Sequence, residues 1–223
     1  MALYTNKKVG VVLAGCGVKD GSEIHEATLT LLYLDRAKSD AIIMAPDCNQ
    51  MDVVNHLTEE VISAESRNIL IESARIARGN IRDIKKVNSG DMDGLIFPGG
   101  FGAAKNLCDF AVKGENFTVN PEVEKLILEM HEAKKPVGFI CIAPVIAAKV
   151  LGKFHPKITI GDDEGTANII ETLGAQHINC PVNDIIVDEN NNIVTTPAYM
   201  LGPSIAYISK GIEKLVNKVL ELS

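Results

Sequence analysis

The chain contains no tryptophan, and aromatic residues make up only 4% of its 223 positions. Its core must therefore be built from Val, Ile, Leu, Ala and Met. A basic cluster is also missing. The formal net charge is −7, and the lysine pairs at 7–8, 85–86 and 134–135 stand alone. Phosphate backbones are gripped by clustered Lys and Arg, so nucleic acid is excluded as a partner. The five cysteines (Cys16, Cys48, Cys108, Cys141 and Cys180) form no CxxC pair and no metal-finger spacing. Both His-Glu pairs, "HEATL" from His25 and "HEAKK" from His131, lack the second histidine of a zinc-binding H-E-x-x-H. These absences lead us to expect no metal and no disulfide framework, and to place the chain in a reducing cytoplasm. Long apolar runs are lacking as well. The run in "MALYTNKKVGVVLAG" is too short for a signal peptide or a membrane span.

What remains is the composition of a soluble globular protein, 46% apolar and 23% charged. Apolar β-branched runs at residues 8–14, 41–45, 94–97, 137–140, 158–160 and 185–187 read as strands. Between and after them, residues 22–38, 66–77, 103–112, 121–134, 143–151 and 203–222 carry helical spacing. Pro121 stands at a preferred first helical position. Residues 188–193, "DENNNI", form a turn, and the acidic residues 162–164 precede a further helix as caps. Strands alternating with helices imply a doubly wound α/β fold, a mostly parallel sheet covered by helices on both faces, of flavodoxin-like type. No linker or repeat divides the chain, so a single domain over residues 1–223 is expected. Ligands of such sheets collect beyond the carboxyl ends of the strands. That directs attention to residues 15–21, 46–50, 98–102 and 141–144.

Three of these loops carry chemistry. In "GFICIAP", residues 138–144, one cysteine interrupts an apolar run where a strand turns into a helix. A residue on such a turn is lifted out of the sheet, and the helix N-terminus behind it lowers a thiol pKa. Against this, free cysteine is among the most buried residue types, and the turn alone leaves both readings open. In "FPGGFGAAKN", residues 97–106, the N–H groups of adjacent glycines can bind an oxyanion, although a plain strand-end turn also uses glycine. In "AGCGVKDGSEIHEA", residues 14–27, the glycines miss the dinucleotide fingerprint by one position, with Asp47 as a possible acidic partner. Glu23 and Glu26 follow in the first helical turns. Either one, held near the thiol, would have a raised pKa and could act as an acid or base, although helix-dipole complementarity by itself accounts for both.

Together the strand-ending "PGG", the cysteine of "ICIAP" and an early helical glutamate resemble the ThiJ/PfpI superfamily of class I glutamine-amidotransferase-like proteins. Within it, "GCGVKDGSEIHEA" and "TTPAYMLGPSIAYISKGIEKLV" are similar to the ElbB-type branch, described as glyoxalase-like and linked by name to isoprenoid biosynthesis. The resemblance covers essentially the whole chain. It implies Cys141 as nucleophile, Glu23 rather than Glu26 as its carboxyl partner, and Gly99, Gly100 and the Ile142 N–H as oxyanion-binding groups. It also implies a homodimer. Departures narrow the activity. Ile142 stands where superfamily peptidases have histidine, and the late His-x-Glu pair of the amidotransferases is missing. Nothing is then placed to serve a leaving amine, so protease and glutaminase chemistry are disfavoured. The expectation is a glyoxalase acting on a small aldehyde such as glyoxal, without cofactor or metal. Deglycation by the same chemistry and a cysteine-based redox sensor are the alternatives, and nucleotide binding at residues 15–21 is a third.

Overall fold

The computed structural model describes residues 6–223. The first five positions of the expected domain lie outside the described residues. A seven-stranded sheet runs in the order β3-β2-β1-β4-β5-β9-β8. Its strands are β1 (Lys8–Val12), β2 (Asp40–Ala45), β3 (Arg82–Asp83), β4 (Gly94–Phe97), β5 (Val137–Ile140), β8 (Ile186–Asp188) and β9 (Ile193–Thr196). All neighbours are parallel except β8 and β9. A separate parallel pair, β6 (Lys157–Ile158) with β7 (Gln176–His177), lies apart from it.

Helices cover both faces. On one side lie α1 (Ile24–Arg36), α2 (Ile69–Ile76) and α8 (Ile205–Leu222), over Val9, Val11 and Leu13 of the first strand. On the other, α5 (Pro121–Glu132), α6 (Pro144–Leu151) and α7 (Glu164–Thr172) bury Val12, Ala14, Phe97 and Phe139. The alternation along β1 follows from the period of two that sends successive side chains to opposite faces. With both faces buried, the strands read as continuous apolar runs, which is why β4 and β5 match expectation residue for residue.

Several elements differ from the sequence reading, among them the two-residue β7, which was not expected. Strand β9 was not expected, because its four residues sit between an Asn-rich turn and a proline. It is nevertheless fully buried, beside β5. The helix expected over 103–112 is broken into α3 (Phe101–Lys105) and α4 (Phe110–Lys113). The break occurs where Cys108 bridges to Val119 and Leu107 accepts the Asn120 N–H at 2.9 Å. Strand β3 has two residues, too few to leave a periodic signal.

One packing detail bears directly on function. Phe97 and Phe139 are register partners on β4 and β5, and their rings stack with centroids 5.0 Å apart. Such a pair contributes about 0.5–1.5 kcal/mol beyond its burial. It fixes the two strand ends that lead into Gly99 and Cys141.

Candidate active site

Cys141 follows β5 directly, with a backbone φ of 62°. A non-glycine residue in this left-handed region costs about 1–2 kcal/mol. The turn is held by Cys141 N–H donating to the Thr196 carbonyl at 2.9 Å and Ala143 N–H to the Ile140 carbonyl at 3.0 Å. Strand β9 thus supplies the anchor for the elbow. Observed strain over-determined by its surroundings is common at reactive sites.

The carboxyl group beside the thiol belongs to Glu26, which corrects the expectation of Glu23. Glu26 is fully buried in α1. Its Oε2 accepts the Gly99 N–H at 2.9 Å, its Oε1 accepts the Tyr199 N–H at 3.2 Å, and it hydrogen-bonds the Cys141 thiol. Glu23 is the N-cap of the same helix. Its Oε2 accepts the Glu26 N–H at 2.7 Å and its Oε1 lies 3.8 Å from His25 Nδ1. The two glutamates are three positions apart, so one caps the helix while the other turns beneath the β4 loop.

The glycines divide in the same way. Gly99 N–H is committed to Glu26, so it does not face a substrate oxygen as expected. A Cβ on Gly99 would lie 2.5 Å from Cys141 Cβ and 2.7 Å from Glu26 Oε2, and glycine is what allows acid and thiol to meet. Gly100, with φ of 94°, and Ile142 direct their N–H groups at the Cys141 sulfur.

Burial pushes the Glu26 carboxyl up to about 8, with the charge of Glu23 adding to the shift. The Cys141 thiol is also raised well above its ordinary value. Burial is the leading cause and the Glu26 charge the next, against the pull of the Gly100 and Ile142 N–H groups. The turn was expected to lower this pKa, and removal from water outweighs the helix end. The two shifts are linked. When Glu26 carries its proton, its repulsion of the thiolate disappears and its O–H becomes a third donor to the sulfur. With a single proton between the pair it rests on the thiol, whose pKa ends the higher of the two, and the ionised carboxyl group is then the base beside it.

Above the sulfur is a cavity of about 340 Å³. Val18, Phe101, Phe110, Ile142 and Met200 make most of its wall, with Glu23 and Tyr199 as polar members. Tyr199 hydroxyl and His25 Nδ1 are 2.8 Å apart at its edge. Tyr199 escaped the sequence reading because it lies on the turn after the unexpected β9. A larger depression of about 750 Å³ runs along Lys8, Asp40 and Arg82, at the opposite ends of the strands, and among the described residues no cysteine or histidine lines it. Volume alone would have chosen the wrong place.

The glycine loop at 15–21 is closed on itself. Gly15 N–H donates to Ser73 Oγ at 2.9 Å, Gly17 N–H to the Ser22 carbonyl at 3.0 Å and Gly21 N–H to the Gly17 carbonyl at 2.6 Å. Donors spent internally do not cradle a phosphate, which removes the support for the dinucleotide alternative.

No family model matches the chain. Over 225 residues, 97% of this chain and 83% of the relative, it is 48% identical to a Homo sapiens protein named glutamine amidotransferase-like class 1 domain-containing protein 3, mitochondrial. The chain belongs to the glutamine amidotransferase-like class 1 domain family. Among solved structures, an Ehrlichia chaffeensis isoprenoid biosynthesis protein with amidotransferase-like domain superposes with a TM-score of 0.88. It is 38% identical, over 96% of this chain and 99% of that one. Drosophila melanogaster DJ-1beta shares the fold alone, with a TM-score of 0.55 and 18% identity over 98% and 96% of the two chains. The family thus carries the α/β architecture expected from sequence. Among the described residues no helix is long and apolar enough to cross a membrane.

Proposed function

We propose that this family member is a glyoxalase in which Cys141 is the nucleophile and Glu26 the acid/base. The observation that carries this reading is the buried Glu26–Cys141 pair, with the Gly100 and Ile142 N–H groups on the sulfur and an apolar cavity above it. Glu26 in its ionised fraction takes the thiol proton as sulfur adds to the aldehyde carbon. The resulting oxyanion, one bond from the sulfur, is held by the Gly100 and Ile142 N–H groups and then protonated by Glu26. Glu26 next removes the hydrogen from that carbon as a proton and returns it to the neighbouring carbonyl carbon, while the hydroxyl proton passes to the neighbouring oxygen, leaving a thioester beside an alcohol. One carbon is oxidised and its neighbour reduced, so no outside redox partner is needed. Water cleaves the thioester, releasing glycolate from glyoxal, or lactate from its methyl homologue, and restoring the thiol. Deglycation of adducts would use the same addition.

The sensor alternative calls for an exposed thiol of low pKa. Cys141 is 8% exposed and its pKa is shifted upward, which counts against sensing, whereas turnover has in Glu26 a base to take the thiol proton as the bond forms. A cytoplasmic location and a homodimer belong to the same reading, the second to be checked by sedimentation. The deciding assay is glyoxal consumption by the purified protein without glutathione or nicotinamide, beside Cys141→Ser. Turnover lost in the variant supports the reading. Turnover that persists in the variant, or is missing from both proteins, ends it.

A further inference from the structure

The cavity over Cys141 is far larger than glyoxal requires. Its volume of about 340 Å³ falls in the roughly 300–1,000 Å³ range of clefts that enclose drug-sized molecules, whereas glyoxal has four non-hydrogen atoms. Its wall is apolar and in part aromatic, through Val18, Phe101, Phe110, Ile142 and Met200. No lysine, arginine or histidine lines it. The nearby basic groups have partners of their own: Lys105 Nζ lies 2.8 Å from Asp52, Lys19 Nζ 3.1 Å from Glu59, and His25 Nδ1, at the cavity edge, 2.8 Å from the Tyr199 hydroxyl and 3.8 Å from Glu23. The charged side chain that does reach the cavity is acidic, Glu23. A carboxylate or phosphate on a substrate would meet a dry wall with no counter-charge and one like charge.

We infer that this pocket selects neutral carbonyl compounds with a bulky apolar tail, 2-oxoaldehydes of arylglyoxal size, over glyoxal itself and over anionic carbonyls. The inference rests on the proposed chemistry at Cys141 for its reactive end, and on the cavity wall for its tail. The reaction is the one already balanced above, with the aryl group carried unchanged on the carbon that becomes the alcohol. In an apolar pocket a single methylene is worth about 10–200-fold in kcat/KM. A phenyl ring seated between Phe101 and Phe110 is therefore expected to raise kcat/KM over glyoxal by at least about 10-fold.

Two measurements test this, the second independent of turnover. The first is the ratio of kcat/KM for phenylglyoxal to that for glyoxal, in the wild type and in Ala111→Leu. Ala111 is an exposed residue of the cavity rim, so leucine there narrows the space without burdening the core. The expected result is a high ratio that falls several-fold in the variant. The second is the alkylation rate of Cys141 by iodoacetamide, followed by peptide mass, with acetophenone, benzoate or acetone present. Acetophenone is expected to slow alkylation at concentrations where benzoate and acetone do not. Glyoxal turnover with no aryl preference and no protection overturns the inference and leaves the glyoxalase reading standing. Selective protection with no turnover of either aldehyde upholds the pocket's selectivity and ends the glyoxalase reading. Protection by benzoate equal to that by acetophenone overturns the inference whatever the turnover.

Discussion

Replacing Glu26 by glutamine should change how the stability of the protein depends on pH. In the folded state the carboxyl is pushed up to about 8, from 4.5 for an exposed glutamate. Between those values the folded chain holds a proton that the unfolded chain releases, so stability falls as pH rises. Below 4.5 both states are protonated and nothing is lost; above about 8 the full cost is present. At 1.36 kcal/mol per pKa unit the loss comes to roughly 5 kcal/mol, with no discount for solvent because the side chain is fully buried. Glutamine cannot ionise. It also turns an NH₂ group toward one of the two backbone N–H donors, which costs about 1–3 kcal/mol at every pH. Urea unfolding from about pH 5 to about pH 8 separates the two effects, since the constant cost displaces the curve and the titration tilts it. His177, whose pKa is lowered by burial, gains stability with rising pH in the lower part of that window, and it does so equally in both proteins. The wild type should lose stability relative to Glu26→Gln toward alkaline pH. Parallel curves would mean that Glu26 is ionised in the folded protein at neutral pH, and the raised pKa of its buried carboxyl would be refuted.

Other outcomes follow from the same geometry. Glu26→Gln should lower kcat for glyoxal by about 10²–10⁴-fold, the usual share of a positioned acid/base. Glu23→Gln, measured in the same assay, should retain activity and move the acid limb of the pH–rate profile to lower pH, because the Glu23 charge helps to raise the pKa of the base Glu26. Gly99→Ala should abolish activity and cost about 1–3 kcal/mol in chemical denaturation, as its Cβ meets both reacting groups. In thiol labelling near neutral pH, exposed Cys48 should react first and Cys108 last, since burial pushes the Cys108 thiol up to about 12.

The parts of this fold that were legible in the sequence are those governed by local pattern. Strands β4 and β5 are unbroken apolar runs closed by a glycine turn and a cysteine turn, and α5 begins at Pro121 with Asn120 accepting from Val123 and Glu122 N–H groups. The loops expected to gather at the carboxyl ends of the strands do gather there, because a parallel sheet leaves them no other place. Choosing between Glu23 and Glu26 needed more. Both sit in the first turns of α1, and what separates them is the rotation of that helix against the β4 loop, a tertiary quantity. Tyr199 was hidden for a related reason. Its N–H reaches Glu26 from 173 positions away, through a strand whose pattern is too short to register. The direction of the Cys141 shift was misread because a helix end is a local feature, whereas the depth of burial is set by the whole sheet.

The contact between Tyr199 and Glu26 also bears on how the site is put together. The acid, the glycine loop and the elbow belong to the first 142 residues, but Glu26 Oε1 accepts the Tyr199 N–H, and the elbow N–H donates to the Thr196 carbonyl. A chain cut before Ile193 is therefore expected to leave the elbow N–H and a Glu26 oxygen without these partners. The site is assembled from both halves of the sheet, where β9 lies beside β5 and α8 packs over α1.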